Sequence, residues 1–72
     1  MSAPIPFAAR RSCGALYENC EGLGAAALRL SEATMEGSAD KMRAATEEIG
    51  EMASRARVLA ATLERQIARL TR

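Results

Sequence analysis

Two runs of apolar and small residues, each stepping by alternating threes and fours, flank the pair Gly37-Ser38 and limit this chain to helices folded about that point. The first run is Cys13, Leu16, Cys20, Leu23, Ala27, Leu30 and Thr34. The second is Met42, Ala45, Ile49, Met52, Ala56, Leu59, Leu63, Gln66 and Leu70. Such spacing keeps side chains on one stripe of a helix with 3.6 residues per turn, and the second stripe lasts about four heptads. Ser12 suits the N-cap of the first helix, Gly37 the left-handed position after its end, and Ser38 with Asp40 the start of the second. The sequence therefore predicts helices over about 13–36 and about 39–71 with a turn at 37–38.

If the helices fold back on each other, facing residues should have numbers with a constant sum, and they do. Leu16 with Leu59, Leu23 with Met52 and Leu30 with Ala45 give 75, while Cys13 with Leu63, Cys20 with Ala56, Ala27 with Ile49 and Thr34 with Met42 give 76. A single continuous rod would carry the stripe from Thr34 to residues 37 and 41, but it resumes at Met42. An all-α antiparallel helical hairpin, coiled-coil-like, is the expected fold.

Composition supports helices and thins the core. The second segment is rich in Ala, Leu, Glu, Arg and Met, with only Gly50 opposing helix in its interior, whereas Gly14, Gly22 and Gly24 weaken the first by up to about 1 kcal/mol each. One Val, three Ile, one Tyr and one Phe leave little for an all-β chain. Of the 35 residues behind the 49% hydrophobic content, 16 are alanine, so self-association or a partner helix is expected to complete the core as a bundle.

The same inventory narrows the chemistry. The absence of His removes Ser-His-Asp and Cys-His nucleophiles and every His-containing metal site. Cys13 and Cys20, seven residues apart, would stand about 10.5 Å apart along a helix, too far for a disulfide or a shared metal, so both are expected to be core thiols. No enzyme, cofactor, metal or small-molecule substrate is expected. Glu21, Arg29 and Glu32 interrupt the best apolar stretch, so no membrane span is expected and the protein is expected to be soluble and intracellular, in the cytoplasm.

Residues 1–11 read as an extended N-terminal arm, because Pro4 and Pro6 keep Ile5 out of helical conformation. Ile5 and Phe7 are expected to fold back over apolar surface at a helix end. The arm's Arg10 and Arg11, with no acid before Glu18, also carry an echo of an organelle transit peptide.

The two flanks of the expected hairpin differ. One holds Tyr17, Gly24, Leu28 and Met35 beside Thr46, Ala53, Ala60 and Ile67, with no charge; the other holds Asn19, Glu48, Arg55 and Arg69. The uncharged flank is the expected partner-binding surface, with Tyr17, Leu28, Met35, Ala53, Ala60 and Ile67 as its candidate contacts. Charge is also sorted along the chain, with net −5 over residues 18–54 and +6 over the remainder. Folding gathers Arg55, Arg57, Arg65, Arg69 and Arg72 with Arg10 and Arg11 at the open end, opposite an acidic turn. A basic end of this kind could meet an anionic surface, membrane or nucleic acid. Nucleic acid is not expected, because no aromatic residues interleave the arginines.

A short helical hairpin with glycine in its turn resembles the WXG-type secreted hairpins and the small co-chaperones of type III secretion needle subunits. Met35-Glu36-Gly37 stands where the former would carry Trp-x-Gly, the Trp itself is missing, and no Tyr lies near the C-terminus. The resemblance is one of architecture, implies an association with secretion, and assigns no family. The expected function is that of a non-enzymatic protein–protein interaction module, a small assembly subunit or chaperone-like hairpin. The alternative is a basic amphipathic binder of anionic surfaces.

Overall fold

The computed structural model describes residues 4–70 and consists of two helices, α1 (Phe7–Glu36) and α2 (Ala39–Leu70), packed antiparallel in a rod of 55 × 18 × 14 Å. Arg72, and Thr71 at the expected end of the second helix, lie outside the described residues.

The turn forms as the sequence expects. Gly37 adopts φ 72°, ψ 26°, a left-handed geometry that a Cβ would oppose by about 1–2 kcal/mol. That geometry turns the N–H groups of Gly37 and Ser38 back to the carbonyls of Thr34 and Ala33, each at 3.1 Å, so the last carbonyls of α1 are satisfied. Ser38 then opens α2: its carbonyl accepts from Met42 N at 3.0 Å and its hydroxyl from Lys41 N at 3.4 Å. Asp40 sits in the first turn, where the helix dipole favours an acid, and Arg69 in the last, where it favours a base.

The start of α1 corrects the expected boundary. The helix begins at Phe7, five residues before Ser12, so the extended arm shrinks among the described residues to Pro4–Pro6, and Ser12 lies inside the helix, partly buried. Proline forbids a helix only where its missing N–H would be used. Pro6, at φ −59° and ψ 148°, stands just outside the first turn and its carbonyl accepts from Arg10 N at 3.1 Å. From there Ala8, Ala9, Arg10 and Arg11 favour helix and nothing interrupts them. Burial of Ala9 to 4% exposure favours the extra turn further.

α2 presents the expected stripe, since Met42, Ala45, Ile49, Met52, Ala56, Leu59, Leu63 and Gln66 are all buried or half-buried; Leu70 is exposed. α1 does not. Its inward stripe is Ala9, Ser12, Leu16, Asn19, Leu23, Ala26, Leu30 and Ala33. The three leucines are those expected, but Cys13, Cys20, Ala27 and Thr34 are exposed, each replaced by the residue before it. Three observations account for this rotation. Asn19 Nδ2 donates to the Met52 carbonyl at 2.8 Å, which satisfies the amide at 9% exposure. A Cβ on Gly22 would stand 3.1 Å from Met52 Cε and 3.3 Å from Sδ, so glycine gives that thioether its room. Ala26 and Ala33, at 0% and 2% exposure, let the helices approach closely.

Gly22 against Met52 and Arg29 against Glu48 lie within one residue of the expected register. The resulting core is small. Its fully enclosed apolar residues are Ala9, Ala26, Ala33 and Ala45, and no large side chain among the described residues is completely buried. At the open end the stripe finishes with Gln66, whose Oε1 is buried without a hydrogen-bond partner among the described residues.

Candidate partner-binding surface

Ion pairs mark one flank of the hairpin. Arg29 Nη2 meets Glu48 Oε1 at 2.6 Å and Lys41 Nζ meets Glu36 Oε2 at 3.0 Å, both across the two helices. Arg43 reaches Asp40 at 3.7 Å within α2. All are solvent-exposed, contribute at most about 1 kcal/mol each, and lie in the half of the rod nearest the turn. Among the described residues no ion pair involves Arg10, Arg11, Arg55, Arg57, Arg65 or Arg69. Arg11 stacks over the Phe7 ring with its guanidinium carbon 5.0 Å from the centroid, and Arg65 donates to Thr62 Oγ1 at 3.3 Å. The basic open half and acidic turn expected from the sequence therefore face solvent, with Arg72 outside the described residues.

The opposite flank carries no charge along the seam between the helices and is wider than expected. Rotation of α1 brings Cys13, Cys20, Ala27 and Thr34 to the flank beside Thr46, Ala53, Ala60 and Ile67 of α2. Next around α1 come Tyr17 and Gly24, then Leu28 and Met35, which point directly away from α2. Met35 is 85% exposed, Tyr17 67%, Leu28 60% and Ile67 48%; Ala60 is exposed and Ala53 half-buried. The six candidate contacts thus border one surface, but Leu28 and Met35 occupy its outer edge instead of the seam between the helices. Asn19, expected on the charged flank, is in the core instead.

At the open end this surface deepens into an apolar groove of about 560 Å³, lined by Ile5, Ala9, Cys13, Gly14, Tyr17, Leu63, Ile67 and Leu70, with Arg10 at its rim. Ile5 folds back here as the sequence suggests, while Phe7 stays 73% exposed. The groove itself escapes a reading of heptads because it needs Ala9 on α1's inward side and Ile5 just ahead of the helix, and so needs the helix to start at Phe7.

The thiols give a direct check on the rotation. In dilute native protein Cys13 and Cys20 are expected to react with a thiol reagent at rates close to those in denaturant, since both side chains are exposed. Strong native protection of both would return them to the seam.

Among the described residues no three His, Cys, Asp or Glu side chains gather as a metal site, and no helix is long and apolar enough to cross a membrane. Comparison with protein families, with curated proteins and with solved structures finds no match.

Proposed function

We propose that this chain is a protein–protein interaction module, a two-helix hairpin that completes a helical bundle with another chain. The observation that carries the reading is the mismatch between what the hairpin encloses and what it displays. It encloses four alanines and an asparagine, while Ile5, Phe7, Tyr17, Leu28, Met35, Val58, Ile67 and Leu70 are each at least 39% exposed. Most of these border a surface without ion pairs, and small residues along it let another helix approach.

Two adjacent alanines test it. Ala60 stands on the uncharged flank and Ala61 one residue further round α2, on its outer face; both are exposed. Ala60→Glu is expected to weaken complex formation by at least tenfold, because the carboxylate would be buried unpaired at a helix–helix contact, whereas Ala61→Glu should leave it unchanged. Sedimentation velocity reads this on the purified chain and on the complex it forms with whatever co-purifies from its native cell. Equal behaviour of the two variants would overturn the choice of surface.

A second reading rests on the arginines of the open half, which have no acidic partner among the described residues. It would show as retention on anionic but not zwitterionic vesicles, removed by salt.

A further inference from the structure

We infer that the occupant of the open-end groove is a second copy of this chain, docked antiparallel so that Met35 of each copy enters the groove of the other. The inference rests on the interaction-module reading and commits it to one partner.

Three independent features of the molecule converge on that geometry. The first is shape. The groove offers apolar walls from Ile5, Cys13, Gly14, Tyr17, Ile67 and Leu70, and Met35, at 85% exposure, is the most exposed large apolar side chain among the described residues. An unbranched thioether adapts to an irregular apolar gap better than a branched side chain does.

The second is symmetry. Along α1 (Phe7–Glu36), Met35 and the groove residue Ala9 stand on opposite sides of the helix midpoint at nearly equal distances, about 20 Å at 1.5 Å per residue. A two-fold axis midway between Met35 and the groove seats both methionines at once, and because it falls at the helix midpoint the two copies overlap along the whole of α1. This is the condition for an isologous dimer that closes instead of propagating.

The third is charge. Antiparallel docking sets the acidic middle of the chain, net −5 over residues 18–54, alongside the other copy's basic open end, which carries most of the +6 of the remainder. Parallel docking would set net −5 against −5 and +6 against +6. Near the axis, Gly24 and Cys20 present little bulk. Glu21 is the one acid in this part of the surface and would approach its own counterpart there, so removing its charge should tighten the dimer.

Crosslinking decides the orientation, because Lys41 is the chain's one lysine and stands at the turn. Cys13 lines the groove at the other end of the 55 Å rod. A short amine-to-thiol crosslinker applied to a mixture of light and nitrogen-15-labelled chains is expected to join Lys41 of one copy to Cys13 of another. Light scattering should show a dimer that Met35→Asp weakens by at least tenfold and Glu21→Gln strengthens, with helicity unchanged in both. Labelling of Cys13, which lines the groove, should slow as concentration rises. A dimer without Lys41–Cys13 crosslinks between light and heavy chains, or one that Met35→Asp leaves intact, would overturn the arrangement. A wild type that stays monomeric at every concentration would overturn the second copy as occupant. The interaction-module reading would then stand or fall separately on the Ala60 and Ala61 pair.

Discussion

Glutamate placed in turn at Ala25, Ala26 and Ala27 is expected to give three different outcomes from one chemical change. Ala26 is fully enclosed between the helices, so Ala26→Glu must bury an unpaired carboxylate or push the helices apart. Either costs several kcal/mol, a large share of the roughly 4–11 kcal/mol that a chain of this length commands. Helical circular dichroism and urea unfolding should show a chain that no longer folds cooperatively. Ala25→Glu lies on exposed surface, with Arg29 four residues on, a spacing that favours a Glu–Arg pair; its effect should stay within about 0.5 kcal/mol. Ala27→Glu is exposed too, so in dilute solution it should fold like wild type. It nevertheless places charge on the uncharged flank, and complex formation should fall as it does for Ala60→Glu. If Ala27→Glu unfolds the chain while Ala26→Glu is tolerated, the inward stripe of α1 runs through Cys13 and Cys20 after all.

That triplet is also where the sequence stops being decisive. The antiparallel hairpin, the turn at Gly37 and the whole inward stripe of α2 are legible, because each rests on a residue type with a single favoured place. Glycine fits the left-handed turn; Ile49, Met52, Leu59 and Leu63 admit one apolar phase. In α1 the leucines at 16, 23 and 30 fit two phases equally well, one adding Cys13, Cys20, Ala27 and Thr34, the other Ser12, Asn19, Ala26 and Ala33. Apolarity favours the cysteines. The structure favours Asn19, because its amide has a partner in the Met52 carbonyl, and Gly22, because Met52 needs the space. Neither requirement belongs to α1 alone. The phase of a helix that is small and weakly apolar all round is set by the partner it packs on, and that information lies across the turn. The surface inherited the same error: its α2 members, Ala53, Ala60 and Ile67, are on the expected flank, while Leu28 and Met35 of α1 are displaced to its outer edge. The early start of α1 was hidden for a different reason. Pro6 marks a boundary without saying on which side of it the helix lies.

Two leucines separate what folds the hairpin from what the hairpin displays. Leu23 lies half-buried on the inward stripe, and Leu28, five residues on, points away from α2 at 60% exposure. Leu23→Ala removes branched methyls from a half-buried place on the inward stripe, flanked along α1 by the buried Asn19 and Ala26. A loss of about 2 kcal/mol is expected, at the lower end for buried leucine because the site is only partly enclosed. For a domain this small that corresponds to a fall of about 10 °C in the thermal midpoint, and it should be the same at every protein concentration. Leu28→Ala deletes the same atoms from a position that touches little within its own chain. In dilute protein its midpoint should match wild type, since exposed apolar truncations rarely exceed about 0.5 kcal/mol. As concentration rises and the uncharged surface becomes occupied, wild type should gain stability that Leu28→Ala does not share, because ligation of the folded state raises its midpoint by mass action. Thermal unfolding of the three proteins over a hundredfold range of concentration measures both effects together. Equal losses for the two variants in dilute protein would place Leu28 in the fold instead of on the surface. A wild type and Leu28→Ala that remain superimposed at high concentration would leave Leu28 outside the contact between copies, and would move that contact toward the flank formed by Ala53, Ala60 and Ile67.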